Sequence, residues 1–309
     1  MSLIFCSRTD DPDEWRAAFS ETLPDLEFRI WPDVGEAHEV EVALVWDPMQ
    51  EQLLRFPNLK LIASLGAGVD HLLATTTLPD DVPMTRIVDG NLTQGMREYV
   101  LLQTLFCHRQ VSTYMAQQQQ QVWRQLGQPF AQERCVGIMG LGVLGAAAAE
   151  ALRHIGFAVR SWSRREKSQP GVKSFAGLEH LDEFLAGCEI LVCLLPLTPD
   201  TEGIINRRTL NALPQGACLI NGARGGLVVE PDLIAALESG RLGQAILDVT
   251  REEPLPADDP LWRVPNITIT PHIASITNAA SGARLVAENI RRIRAGEVPH
   301  HLVDPKVGY

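Results

Sequence analysis

Apolar residues fall in short runs, each followed by a stretch where they recur every third or fourth position, and the alternation continues through most of the chain. Short continuous runs read as buried strands and the slower recurrence as amphipathic helices. The pattern therefore predicts parallel sheets with crossover helices, an α/β protein. In the first hundred residues strands are expected at 3–6, 26–31, 42–46 and 59–64, with helical patterns near Trp15 and Leu53. Proline and acidic residues gather over 79–89, after which Asn91 is suited to cap a long helix running to about Trp123. The five glutamines from Gln117 to Gln121 are compatible with a solvent-facing helix. A second series starts with a strand at 135–139 and continues with strands at 158–162, 190–194, 217–221, 244–249 and 267–269. A last helix over 278–295 has no strand after it, so the simplest packing returns it to the first domain. Two doubly wound parallel-sheet domains follow: residues 1–97 with 278–309, and residues 98–277.

Composition narrows the partners. The 309 residues carry 38 acidic against 27 basic side chains, a formal charge of −11, so the chain as a whole repels polyanions and neither nucleic acid nor an anionic membrane is an expected partner. The longest apolar run, 190–197, is strand-sized and too short to span a bilayer. The N-terminus reaches acidic residues within ten positions and lacks a basic and apolar leader, which points to the cytoplasm. Six cysteines without a CxxC pair, mostly inside apolar runs, read as buried free thiols of a reducing compartment. No metal is expected.

The strand at 135–139 runs into Gly140-Leu-Gly142-Val143-Leu144-Gly145 and then a helical pattern. GxGxxG between a strand and a helix is a pyrophosphate-binding turn: the first glycine allows the tight turn, the second lets a phosphate approach the backbone, and the third lets the helix pack closely. The helix N-terminus offers amides and partial positive charge to the anion. An NAD-specific site would carry a carboxylate at the end of the next strand. Here Ser163, 18 residues beyond Gly145, is followed by Arg164, Arg165, Glu166 and Lys167. With Arg160 counted, this segment is basic in an acidic chain, and a hydroxyl with guanidinium groups suits a 2′-phosphate. NADPH is the expected cofactor, with NADH less favoured.

Three strand ends in the second half carry ionisable groups: Asn221-Gly-Ala223-Arg224-Gly-Gly, Asp248-Val-Thr-Arg-Glu-Glu253-Pro-Leu-Pro, and Thr270-Pro-His272-Ile-Ala-Ser. Ligands in open α/β sheets bind outside the carboxyl ends of the strands. Of eight histidines, His272 alone follows a strand and a proline there; His38, His71 and His180 lie in polar or turn-like stretches, His108 and His154 on helices, and His300 and His301 in the tail. Arginine, carboxylate and histidine together match the reduction of a 2-oxo acid. Arg224 can hold a carboxylate and polarise a carbonyl through its planar fork, His272 can supply a proton, and Glu253 can favour and orient the imidazolium.

These motifs, with Leu194-Leu195-Pro196-Leu-Thr-Pro-Asp-Thr201 and the order Arg224, Glu253, His272 at intervals of 29 and 19 residues, resemble the D-isomer-specific 2-hydroxyacid dehydrogenases. Further segments resemble a branch that reduces glyoxylate and hydroxypyruvate: Trp46-Asp-Pro, residues 64–72 and 160–177, Asp258-Asp-Pro-Leu-Trp, and the ending 303–309. The resemblance implies a Rossmann cofactor domain and a smaller flavodoxin-like substrate domain. It implies Arg224 as the substrate-binding and polarising residue, Glu253 as the partner of His272, and His272 as the general acid. Leu195, Pro196, Thr201 and Ala223 would join Gly140, Gly142, Val143, Leu144, Gly145, Ser163, Arg164 and Arg165 at the cofactor, with Asp248 accepting from the nicotinamide carboxamide. The amides of Ala67, Gly68 and Val69, in a glycine-rich turn suited to anions, would bind the substrate carboxylate, and Trp46 would help define a small pocket. The resemblance also suggests a homodimer built through the second domain. A family member acting on a bulkier 2-oxo acid, or a dinucleotide-sensing binding protein resembling corepressors of this fold, are the competing readings.

Overall fold

The apolar runs become strands that pair in parallel with one another in two sheets, with one isolated antiparallel bridge between Thr85 and Leu302. The computed structural model describes residues 1–46, 50–75, 78–79 and 81–304. Asp47 and Pro48 of the Trp46 segment and residues 305–309 of the chain ending lie outside the described residues. The chain divides into one unit of Met1–Leu92 with Ile276–Tyr309 and another of Thr93–Ser275. The divisions fall five and two residues before the positions expected at 97 and 277, the first of them inside the helix that begins at Gly90.

In the first unit β1 (Ser2–Cys6), α1 (Pro12–Thr22), β2 (Glu27–Ile30), β3 (Val40–Val45), β4 (Leu61–Ser64), α2 (Asp70–Thr75) and β5 (Met84–Thr85) follow in chain order. The sheet order β2-β1-β3-β4-β5 is the flavodoxin-like one. β1 and β4 are buried throughout, as strands covered on both faces must be. Helix α1 starts where the Asp11 carboxylate accepts the Asp13 amide at 2.9 Å, with Pro12 in the first turn, and it buries Trp15, Ala18 and Phe19. The pattern around Leu53 forms a 3₁₀ stretch, Gln50–Arg55, rather than an α-helix.

Helix α3 (Gly90–His108) carries the chain into the second unit at Thr93 and is followed by α4 (Val111–Gln119). The single helix expected from Asn91 to Trp123 is therefore broken. Gln110 takes a left-handed φ of 56° and its side chain donates to the Gly127 carbonyl at 2.6 Å. The cap is Asp89, whose carboxylate accepts the Leu92 amide at 2.7 Å, rather than Asn91. Gln117 is buried, contrary to a wholly solvent-facing glutamine tract.

Beyond them lie β6 (Cys135–Met139), α5 (Val143–His154), β7 (Ala158–Ser163), β8 (Lys173–Ala176), α6 (Leu181–Leu185), β9 (Ile190–Cys193), α7 (Arg207–Ala212), β10 (Ala217–Asn221), α8 (Glu230–Glu238), β11 (Leu242–Leu247) and β12 (Ile267–Ile269). The order β12-β11-β10-β9-β6-β7-β8 is a Rossmann sheet with one further strand at its β12 edge. Its direction of winding reverses between β6 and β9, the place where such sheets take a dinucleotide.

The final helix, α9 (Ala279–Arg294), is back in the first unit. Asn278 caps it by accepting the Ser281 amide at 3.1 Å, and Gly282 admits the Trp15 ring of α1, which a Cβ would meet at 2.5 Å. Arg294 pairs with Asp25 at 2.8 Å. All six cysteines are free thiols, five of them buried and Cys135 half-buried. Among the described residues no helix is long and apolar enough to cross a membrane, and no group of three or more His, Cys, Asp or Glu side chains could hold a metal ion.

Candidate active site

The turn after β6 is built around close backbone approaches. Gly140 has φ of 101°, and a Cβ there would stand 2.6 Å from the Leu194 carbonyl oxygen at the end of β9, across the point where the sheet reverses. A Cβ at Gly145 would collide with the Gly140 carbonyl, so the third glycine lets the first turn of α5 close on the loop itself. Gly142 faces open space, and no side chain caps α5 at that position. Uncapped helix amides beside a position where a side chain would otherwise stand fit a pyrophosphate.

The end of β7 differs in part from expectation. Ser163 is buried, and its hydroxyl donates to the Arg165 carbonyl at 2.8 Å, shaping the basic turn from within. Arg160 belongs elsewhere: it bonds Cys135 Sγ at 3.1 Å and the Phe184 carbonyl at 3.2 Å, and lies over the Phe175 ring. The basic groups at the strand end are Arg164, 3.7 Å from Asp200, with Arg165 and Lys167. Lys167 donates to the Leu141 carbonyl at 3.1 Å, which brings its ammonium to the glycine turn, a contact its charge alone did not reveal. In the loop after β9, the Thr201 hydroxyl donates to the Pro196 carbonyl at 2.7 Å and accepts the Thr198 amide at 2.9 Å; Leu195 is buried.

The loops after β10, β11 and β12 bring Arg224, Glu253 and His272 together. His272 Nδ1 is 2.7 Å from Glu253 Oε2, and the other carboxylate oxygen accepts the Thr250 amide at 3.0 Å. Burial pushes the Glu253 carboxyl up, but the His272 bond and charge, the Thr250 amide and the nearby Arg224 charge outweigh it and hold the group below its ordinary range. Arg224 donates from Nη1 to the Ala223 carbonyl at 2.7 Å. Its loop is fixed by buried Asn221, which donates to the Arg224 carbonyl at 2.9 Å and accepts the Ala223 amide at 3.2 Å.

His272 adopts a left-handed backbone, φ 56°, which non-glycine residues rarely take. Asp248 holds it there. The Asp248 carbonyl accepts the His272 amide at 2.8 Å, and its buried carboxylate accepts the Ile273 amide, the Ala274 amide and the Thr270 hydroxyl at 2.9, 2.8 and 2.6 Å. Since the Thr270 proton goes to Asp248, Tyr99 is the donor in the 2.8 Å contact between the two hydroxyls. Asn221, Thr250, Thr270 and Tyr99 are thus supporting residues that the motif reading missed. The first three lie inside the motifs; nothing in the sequence marks Tyr99.

In the first unit the expected turn follows β4. Trp46 lies against Gly66, where a Cβ would stand 2.6 Å from the indole, and its ring centroid is 4.4 Å from that of His71, which is on α2 rather than in a turn. Ser64, wholly buried, donates to the Gly68 carbonyl at 2.9 Å and accepts the Gly66 amide at 3.2 Å. Val69 is buried.

A Rossmann sheet with a glycine-rich turn at its reversal point, and an arginine with a histidine–carboxylate pair on neighbouring strand ends, define a nicotinamide-dependent dehydrogenase. Residues 101–274 match the model of the D-isomer specific 2-hydroxyacid dehydrogenase NAD-binding domain. The chain belongs to the D-isomer specific 2-hydroxyacid dehydrogenase family. It is 43% identical over 314 aligned positions, covering 100% of both chains, to glyoxylate/hydroxypyruvate reductase A of Serratia proteamaculans. Among solved structures it is similar to a D-isomer specific 2-hydroxyacid dehydrogenase of Xanthobacter autotrophicus in complex with NADPH and MES, with TM-score 0.95, 47% identity and coverage of 100% and 99%. It is also similar to the NADPH-dependent glyoxylate/hydroxypyruvate reductase of Sinorhizobium meliloti in complex with NADP and sulfate, with TM-score 0.92, 39% identity and 100% coverage of both.

Proposed function

We propose that this chain reduces small 2-oxo acids, glyoxylate to glycolate and hydroxypyruvate to D-glycerate, with NADPH preferred over NADH. The observation that carries the reading is the 2.7 Å His272–Glu253 pair on strand ends of the sheet that bears the glycine turn. The full-length likeness to the Serratia and Sinorhizobium reductases supports the substrate class and the cofactor.

NADPH, when bound, supplies the hydride. Gly140, Gly142, Val143, Leu144 and Gly145 are assigned to its pyrophosphate, the Ser163 turn with Arg164 and Arg165 to its 2′-phosphate, and Leu195, Pro196, Thr201 and Ala223 to its flanks. Asp248 already accepts three protein donors, and a carboxylate has about four acceptor positions, so one remains for the carboxamide. The substrate carbonyl oxygen must gain a proton as its carbon is reduced. Nδ1 of His272 is committed to Glu253, so Nε2 delivers that proton. The Arg224 fork, its plane fixed through the Ala223 carbonyl, polarises the carbonyl and helps hold the substrate carboxylate. The amides of Ala67, Gly68 and Val69 receive that carboxylate, and Trp46 limits the size of the group beside it.

The protein is proposed to act as a homodimer in the cytoplasm. Free cysteines support the reducing compartment. Exposed apolar side chains in the second unit, with Trp123 fully exposed and Met115, Val122 and Phe130 near it in the chain, support a covering second copy. The test of the activity is loss of NADPH absorbance with purified protein and a panel of 2-oxo acids. Oxidation with glyoxylate and hydroxypyruvate is expected. Oxidation with none of the panel would leave a dinucleotide-sensing binding protein instead.

A further inference from the structure

In the turn after β4, three successive carbonyls are each held by a donor from within the first unit. The Gly66 carbonyl accepts the Ile87 amide at 3.0 Å, the Ala67 carbonyl accepts Arg86 Nη1 at 3.3 Å, and the Gly68 carbonyl accepts the buried Ser64 hydroxyl at 2.9 Å. In a trans peptide the C=O of one residue and the N–H of the next point in opposite directions. Anchoring these three carbonyls therefore turns the amides of Ala67, Gly68 and Val69 away from the body of the unit. Among the described residues none of the three amides has an acceptor. Three consecutive donors without acceptors form a receptor for an anion.

We infer that Arg86, with Ser64, is a positioning residue for the substrate carboxylate: it fixes the Ala67–Gly68 peptide plane and adds a positive charge behind the amides. The inference rests on the reading that this turn receives the carboxylate. Arg86 is half-buried and forms no ion pair among the described residues. Burial pushes its guanidinium below its ordinary value, the mark of a charge deprived of water. Its place is set by the chain ending, since its amide donates to the His301 carbonyl at 3.2 Å while the Val303 amide bonds the Met84 carbonyl at 2.9 Å. The charge also repels a proton on His301, whose pKa is lowered by burial and then by Arg86 and His300. A cation in this setting is compensated best by an anion on the adjoining amides.

The test is steady-state reduction of glyoxylate by R86Q, R86K and S64A, with NADPH affinity and Tm measured on the same samples. Losing one charge-assisted contact or one carbonyl anchor should raise KM about tenfold in R86Q and S64A. kcat should stay within about twofold and NADPH affinity should be unchanged, because the lost interaction is with bound substrate as such. R86K keeps the charge and should recover much of the loss. A raised KM in S64A with none in R86Q would leave the turn as the carboxylate site and remove Arg86 from it. Unchanged KM in both would remove the turn itself. A fall in kcat and Tm without a rise in KM would assign Arg86 to the fold alone.

Discussion

His272 sits in a left-handed backbone conformation, which costs on the order of 1–3 kcal/mol for a non-glycine residue and persists only where neighbours over-determine it. Asp248 does that with four hydrogen bonds, accepting one at its carbonyl and three at its carboxylate. The imidazole is thereby delivered to Glu253 rather than finding it. Replacing Glu253 with Gln keeps an acceptor for Nδ1–H but removes the charge beside the ring, and kcat should fall by about tenfold or more. A carboxyl held below its ordinary range contributes above that range and loses its contribution as pH falls through its lowered value. The parent should therefore keep activity to lower pH than a normal carboxylate would allow, which pH profiles of both proteins will read. Arg224→Lys keeps the charge and loses the fork, so kcat/KM should fall about tenfold or more with NADPH affinity intact. Unchanged kcat/KM would remove Arg224 from the site.

At the scale of elements, the glycine turn and the strand ends were legible because their signals are local: a glycine whose Cβ would strike a neighbouring carbonyl, or a charged residue directly after an apolar run. What was not legible depends on partners distant in sequence. The break between α3 and α4 has no proline or glycine to announce it and is held by Gln110 reaching Gly127. The edge strands β5 and β8 are too short, and β8 too exposed, to show periodicity. Arg160 reads as part of a basic turn, yet its position in β7 directs it to Cys135 and Phe184. With Arg164, Arg165 and Lys167 left at the strand end, cofactor choice becomes a test of this element. Replacing Ser163 with Asp and Arg164 with an uncharged residue should reverse the preference for NADPH over NADH. Each charge-assisted contact is worth roughly 1.5–3 kcal/mol, less where solvent screens it. Equal use of both cofactors by the parent would reduce the turn to a solvated loop.

For the whole molecule, the α/β class with parallel sheets was legible in the alternation of strand and helix patterns, whereas the strand orders were not, since they include β5 and β8; α9 belongs to the first unit. The proposed homodimer leaves a weaker trace, the fully exposed Trp123 beside the exposed Val122. Sedimentation of the parent should give twice the 34.0 kDa chain mass, and Trp123→Asp should shift it toward the monomer. A monomeric parent would contradict the assembly without touching the chemistry. The proposed reaction turns on one proton. kcat/KM for glyoxylate at saturating NADPH, measured for the parent and for His272→Asn with cofactor affinity checked in each, tests it most directly. General acid catalysis contributes about 10²- to 10⁴-fold, so a loss of that size with unchanged NADPH affinity is predicted; activity within threefold of the parent would contradict it and assign the proton to another group.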